Sequence, residues 1–373
     1  MGKKVAKVLH VSTATTWRGG EQQISYLLSG LDNLGVSNWV FCTRGGAFEK
    51  HCRKESIPFL SAKRKGSADL KFAGKLADWC KKVNPEILHC HDSHAHTASI
   101  LAKTVFGIKP DIVVSRRVDF PISGNMFSKI KYNHNAVKGV FCVSNAIERI
   151  VRAGLKRPER ARTIYSGVDL NRFEAVNPVD LRAELGLEPE AVIIGNTSAL
   201  APHKDYYTML QVADQLVNKE GKNHFHFVAV GEGDEREALE QETKQLGLEK
   251  NVHWVGFKKD VGAWLKAFDL FLMTSETEGL GTSLIDALAN EIPVVATDAG
   301  GIGELIRHKE TGWLCDVKSP NCLAEGVKTV LEDEENRNKW VQAGLEHAQS
   351  FGFRSTAKNT YLAYNEILSG SFE

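Results

Sequence analysis

Short apolar runs alternate along the chain with longer stretches in which apolar residues recur every three or four positions. The first run, KVLHVS (7–12), has the length of a strand. After the loop TATTWRGGEQQ, the segment ISYLLSGLDNLG has helical spacing and ends near Gly35. SNWVFCT, EILHCH (86–91), DIVVSRR (111–117) and GVFCVSN (139–145) read as further strands, with helical stretches at 69–82, 94–106 and 144–154. Such an alternation predicts a mostly parallel sheet covered by helices on both faces.

The pattern restarts after the polar connector YSGVDLNRFEAVNPVDLRAELGLEPE, which passes into a short helix. AVIIGNTS (191–198), HFHFVAVGEG (224–233), NVHWVGF, DLFLMTS (269–275) and IPVVATDAG (292–300) are strand-like. DYYTMLQVADQLVNK, EREALEQETKQLG, LIDALANE and IGELIRH read as helices between them. CLAEGVKTVLEDEENRNKWVQAGLEHAQS is a long helical pattern broken in its middle, and STAKNTYLAYNEILSG carries an apolar stripe. The expected architecture is α/β with two Rossmann-like domains, 1–172 and 173–351, and a C-terminal helix, 352–373, packing back on the first. Ligands of such sheets sit beyond the carboxyl ends of the strands, so two facing halves predict a central cleft.

Charge adds an asymmetry to this picture. The net charge is +1, yet residues 1–172 hold 29 Lys and Arg against 13 Asp and Glu, while 173–373 hold 18 against 33. The basic half would be drawn to anionic partners such as a phospholipid surface or a phosphate-bearing acceptor. No nucleic-acid recognition motif accompanies the charge, so nucleic acid is not an expected partner. No window approaches 18 uncharged apolar residues, and MGKKVAKVLHVS has no continuous apolar stretch before polar residues resume, so neither a membrane span nor secretion is expected. Seven cysteines form no CxxC pair, and several lie in apolar strand-like runs where a small buried thiol is the expected reading, which suggests a reducing cytoplasm.

Candidate chemistry concentrates in SETEGLGTSLIDAL (275–288), a strand end leading into a helix. Gly279 and Gly281 permit tight backbone geometry beside Leu280, and the amides near Thr282 and Ser283 open a helix whose positive end can meet a phosphate. Glu278 precedes that helix and Asp286 lies one turn after Thr282. An acidic loop followed by an incidental helix residue is the competing reading. A second cluster, GIGELIRH after Gly300, suits an anion or a sugar hydroxyl near Glu304, or is simply a close helix–sheet junction. The loop TWRGGEQQ offers Gly19 and Gly20, but neither GxGxxG nor the GKS/T of a P-loop is present there. Lys204, before a helix in ALAPHKDYY, can neutralise a diphosphate, although a lone loop lysine is more often a solvated surface group. HCHDSHAH places His89, His91, Asp92, His94 and His96 at a strand end. Without HExxH or paired CxxC, polar contact with substrate is the better reading than a metal site. Arg116 and Arg117 end the next strand and are candidates for phosphate or acceptor contacts, as are Asp92 and His94.

The segments WRGGEQQ, HCHDSHAH, YSGVDLNRF, VGEGDEREALE and EGLGTSLIDALANEIPVVATDAGGIGEL, found in this order between about residues 5 and 365, resemble the retaining glycosyltransferases of the GT-B fold. The resemblance is to the bacterial group called glycosyltransferase family 4, whose members build lipopolysaccharide, capsules and glycolipids. It implies that Glu278 lies near a donor sugar beside the amides of Gly279 to Ser283, and that position 286 binds ribose hydroxyls. Two glutamates are usual in that acidic pair. Asp286 is shorter than Glu by one carbon–carbon bond, about 1.5 Å. The family's phosphate-binding pair of arginine and lysine matches Ala199 and Lys204, so one cation is missing. His91 matches the family's cleft histidine, and Gly20 would let its loop approach the phosphates.

The resemblance therefore implies retaining transfer of a hexose or N-acetylhexosamine from a nucleoside diphosphate sugar to a glycan, glycolipid or lipid-linked acceptor in cell-envelope polysaccharide or lipopolysaccharide synthesis. The nucleotide sugar is a co-substrate, and neither a cofactor nor a metal ion is expected. A cytoplasmic enzyme in peripheral contact with an anionic membrane follows from the same expectation. A nucleotide-sugar epimerase of the same fold, or a non-catalytic nucleotide-sugar-binding protein, is the alternative.

Overall fold

The computed structural model describes residues 4–66, 68–124 and 126–372. The chain divides into one unit made of 1–168 with 353–373, and another made of 169–352. The sequence pattern had put these passages at 172/173 and 351/352.

The first unit alternates strands and helices in chain order. They are β1 (Lys7–Ser12), α1 (Gly19–Asp32), β2 (Ser37–Thr43), α2 (Ala47–Lys54), β3 (Phe59–Ala62), α3 (Leu70–Val83), β4 (Ile87–Cys90) and α4 (Ser93–Phe106), followed by β5 (Asp111–Arg116), α5 (Met126–Tyr132), β6 (Val137–Cys142), α6 (Asn145–Gly154) and β7 (Ala161–Thr163). All strands run parallel in the order β3-β2-β1-β4-β5-β6-β7. Their apolar residues, among them Val8, Leu9, Val40, Phe41, Ile87, Leu88, Val113 and Val140, are buried because helices cover both faces. The C-terminal helix Phe353–Ser369 packs on α1 through Ala357, Ala363, Tyr364 and Ile367, against Leu27, Leu31 and Val36. Gly30 makes that approach possible: a Cβ there would lie 2.4 Å from the Ala357 Cβ.

The second unit continues with α7 (Leu181–Leu185), β8 (Val192–Asn196), α8 (Tyr206–Ala213), β9 (Phe225–Val230), α9 (Arg236–Gln245), β10 (Val252–Gly256) and α10 (Val261–Leu265). It closes with β11 (Leu270–Met273), α11 (Thr282–Ala289), β12 (Val294–Thr297), β13 (Trp313–Cys315), α12 (Pro320–Glu332) and α13 (Glu334–Ala348). Its six parallel strands follow the order β10-β9-β8-β11-β12-β13. The break expected in the long C-terminal helical pattern falls at Asp333, whose side chain caps α13 by accepting from the Asn336 N–H.

Three expectations are corrected. IGELIRH forms only a short turn at Ile302–Glu304, because Ile302, Leu305 and Ile306 anchor it in the core before a helix can propagate. Gly19 and Gly20 are the first residues of α1 rather than part of a loop, since the Glu21 carboxylate accepts the Arg18 N–H (2.9 Å) and starts the helix at that point. Two cysteines are not free thiols: a turn through Lys318 (φ +56°) brings Cys315 and Cys322 to 6.0 Å between Cα atoms, and they form a disulfide. Cys42, Cys52, Cys80, Cys90 and Cys142 are free and buried. No helix among the described residues is long and apolar enough to cross a membrane.

Candidate functional site

In each sheet the strand order reverses direction at one place, between β1 and β4 and between β8 and β11. Chain segments leaving neighbouring strands there diverge to opposite faces and open a crevice beyond the strand ends. Most candidate residues follow the strands at these two places, while Arg116 and Arg117 follow β5 and the glycine cluster at 300–304 follows β12.

In the second unit the segments after β8 and β11 are stitched together. The Thr274 hydroxyl donates to the carbonyls of Lys204 (3.2 Å) and Asp205 (2.9 Å), and the Glu276 N–H donates to the His203 carbonyl (2.9 Å). This brings the Lys204 ammonium onto Glu278 Oε1, which also accepts from the Ser275 hydroxyl (3.4 Å). The two side chains are 16% and 12% exposed, which leaves the pair largely shielded from solvent. The second glycine cluster seats this glutamate. Gly301 N–H donates to the Glu278 carbonyl (3.2 Å), and a Cβ on Gly300 would stand 2.0 Å from that same oxygen. Gly300 also has φ +58°, a conformation that costs other residues strain. Glu304 lies in the turn beyond this seat.

Gly279 and buried Leu280 then lead to Gly281, the N-terminal boundary of α11, where no side chain caps the helix. Thr282 and Ser283 form its half-buried first turn, the end at which peptide dipoles favour an anion. Asp286 is buried on the same helix and its Oδ2 accepts from Arg172, whose guanidinium lies over the Phe173 ring (4.4 Å). Burial pushes the Asp286 carboxyl up to about 6, with Arg172 pulling the other way. Ala199 is exposed and contributes no charge where the family pattern has arginine.

In the first unit Gly19 and Gly20 open α1 with free space where a Cβ would be. His91 follows β4 and is buried. Its Nε2 lies 3.0 Å from His10 Nδ1, and His10 Nε2 lies 3.0 Å from Asn38 Oδ1. His89 is spent on Tyr364 OH (2.6 Å) and the Ser115 hydroxyl (2.8 Å). Burial pushes His10 down to about 4, and both His89 and His91 well below the usual histidine value. Ring nitrogens of His10, His89 and His91 come within 4.8 Å of one another, the one such grouping among the described residues. Both nitrogens of His10 and of His89 already have partners, so a metal would have to break that network.

Asp92 departs from the role of an acceptor contact. It caps α4 by accepting from the His94 and Ala95 N–H groups, and it ties down Thr13 through both N–H and hydroxyl (2.6 Å each). His94 is half-buried in the first turn of α4. Arg116 turns to the Tyr132 hydroxyl (3.3 Å) and the Phe120 carbonyl, while Arg117 donates to the His91 carbonyl (3.1 Å). His96 is buried edge-on against Tyr132. Sequence reasoning missed Arg172, His10 and Asn38. Arg172 lay within the quoted YSGVDLNRF segment, but nothing in the pattern linked it to a residue 114 positions away.

Residues 17–172 match the family model described as Glycosyltransferase Family 4, and residues 180–347 match Glycosyl transferases group 1. The chain belongs to the family 4 glycosyltransferases. Its two α/β units make the GT-B fold. This glycosyltransferase is 26% identical to N-acetyl-alpha-D-glucosaminyl L-malate synthase of Bacillus anthracis, over 80% of each chain. It is 24% identical to the lipopolysaccharide core biosynthesis glycosyltransferase LpsE of Rhizobium meliloti, over 92% of this chain and 94% of that one. Among solved structures it is similar to HepE of Anabaena in complex with UDP, with a TM-score of 0.82 at 22% identity, covering 95% of this chain and 98% of that one. HepE has also been solved with UDP-glucose.

Proposed function

We propose that this glycosyltransferase moves a hexose or N-acetylhexosamine from a nucleoside diphosphate sugar to a glycan, glycolipid or lipid-linked acceptor, with retention of anomeric configuration. The observation that carries the reading is the Lys204–Glu278 contact at the uncapped start of α11. As the glycosidic bond breaks, its electron pair passes to the departing phosphate oxygen. Lys204 and the amides at Gly281, Thr282 and Ser283 stabilise that charge. The acceptor hydroxyl attacks the anomeric carbon from the same face and gives its proton to the departing phosphate, so Glu278 orients the sugar and forms no bond to it. Asp286, with Oδ2 held by Arg172, turns its other oxygen to the ribose hydroxyls. No step calls on a metal ion, and turnover is expected to be unchanged by EDTA.

The name of the B. anthracis relative supports an N-acetylhexosamine donor, although its acceptor is L-malate, and that of the R. meliloti relative supports a lipopolysaccharide acceptor. Peripheral contact with an anionic membrane at the cytoplasmic face belongs to the same reading. Phe120 and Phe127 are 71% and 81% exposed, with Met126 and Ile130 beside them in sequence. Ile130 shares a cavity of about 590 Å³ with Lys129, Lys156, Arg157 and Arg160. Apolar side chains next to cations suit a bilayer carrying negative headgroups. Flotation with anionic but not zwitterionic vesicles is the expected result. For the reaction itself, nucleotide sugars are screened by thermal shift and the product linkage is read by NMR. A product joined to acceptor with the donor's anomeric configuration supports the reading. An isomerised donor formed without acceptor would replace it with an epimerase.

A further inference from the structure

The histidines of the first unit carry information about what they bind. Asn38 Nδ2 faces three acceptors, the carbonyls of Leu28 (3.4 Å) and Val36 (3.1 Å) and Asp32 Oδ1 (2.7 Å). The orientation of this amide is therefore fixed, and Oδ1, which can only accept, is the atom turned to His10 Nε2. His10 must carry its proton on Nε2. Buried and neutral, it then has a lone pair on Nδ1, and the only way to satisfy the 3.0 Å contact is for His91 Nε2–H to donate. His91 is neutral for the same reason of burial, with Arg117 close by to oppose a second positive charge. Its remaining lone pair is on Nδ1. That atom is buried and meets no hydrogen-bond partner among the described residues, which is costly unless something supplies one.

We propose that Asp32, Asn38 and His10 form a positioning relay that fixes His91 as an obligate acceptor at Nδ1, so that this site selects a ligand hydroxyl over a carbonyl, carboxylate or phosphate oxygen. The relay deepens the glycosyl-transfer reading, since a sugar or an acceptor sugar offers O–H groups, but the tautomer itself does not depend on that reading. His10 is itself buried, yet it decides which atom of His91 the ligand meets. The parallel register sets the geometry: His10 on β1 is level with His89 on β4 and Val40 on β2, which places Asn38 on one side and His91 on the other.

The test uses the full-length protein labelled with ¹⁵N-histidine, read by two-bond ¹H–¹⁵N correlation at neutral pH without substrate, with His91→Gln assigning the resonance. The expected result is a neutral His91 protonated at Nε2. A His91 protonated at Nδ1, or cationic, overturns the proposal. Two variants extend the reading. His10→Leu removes the acceptor and is expected to leave His91 in a tautomer mixture. His10→Asn can put Oδ1 where Nδ1 lay and is expected to restore the Nε2–H form. In transfer assays with the donor selected by thermal shift, kcat/KM is expected to fall roughly tenfold in His10→Leu, the size of one lost hydrogen bond, and to recover in His10→Asn. Equal loss in both variants would overturn the positioning role. Because the tautomer is read without substrate, a failure of sugar transfer and a failure of the relay give different results.

Discussion

The two strand-order reversals have the same topology and different side-chain pairings. Beyond β8 and β11 the side chains are ions in pairs, Lys204 with Glu278 and Arg172 with Asp286. Beyond β1 and β4 the paired rings are neutral, His10 with His91 and His89 with Tyr364, and the Asp92 carboxylate and Arg117 guanidinium there are held by Thr13 and by backbone groups rather than by each other. A parallel sheet therefore supplies a place for a ligand without fixing its chemistry; the residues after each strand do that. The ionic crevice is suited to a diphosphate whose charge grows during reaction, and the neutral one to hydroxyls that never ionise.

The largest expected effect is on the ionic side. Glu278→Gln removes the charge that holds Lys204 and is expected to lower kcat by about 10²-fold or more while leaving the thermal unfolding transition cooperative. Steady-state kinetics beside a melting curve checks it, and wild-type turnover would remove Glu278 from the sugar's vicinity. Lys204→Ala is expected next, weakening nucleoside diphosphate binding by about 10- to 100-fold, because it removes a shielded cation and strands Glu278.

Gly300→Ala sharpens the comparison by attacking geometry with charge intact. A methyl group 2.0 Å from the Glu278 carbonyl, at φ +58°, is expected to cost about 1–3 kcal/mol in denaturant unfolding and to lower kcat through a displaced Glu278. The equivalent test on the neutral side is the His10 pair of variants, whose effect on transfer is smaller.

The pH response of Asp286 is the smallest and most specific prediction. Folding raises its pKa from 3.8 to about 6, so the ionised form is disfavoured in the folded state. The carboxylate's penalty is absent below pH 4, grows between 4 and 6, and is complete above 6. Relative to Asp286→Asn, the wild type is expected to lose stability across that window, by no more than about 3 kcal/mol. A constant difference between the two from pH 4 to 7 would show that Arg172 keeps the carboxylate ionised throughout.

The sheets were readable because strands buried on both faces are continuous apolar runs such as VLHV and LFLM, separated by helical periodicity. Three of the four edge strands were not, whereas β10 at the remaining edge was legible in NVHWVGF. Phe59–Ala62, Ala161–Thr163 and Trp313–Cys315 are three or four residues long, too short to establish a period. At the candidate site, Glu278, Lys204 and Asp286 were visible in their motifs, but their partners were not. Arg172 reaches Asp286 only through the fold, and the relay through His10 and Asn38 depends on which strands lie side by side. Local pattern cannot carry pairings of that kind. The same holds for Cys315 and Cys322, whose bridge depends on a turn at Lys318 rather than on a recognisable spacing.

The division between an ionic and a neutral crevice is tested most directly by calorimetric titration of the selected nucleoside diphosphate, and of the same nucleoside without phosphates, into wild type and Lys204→Ala. The account predicts that the variant loses most of the affinity for the diphosphate and keeps that for the nucleoside. Equal diphosphate affinity in the two proteins would contradict it.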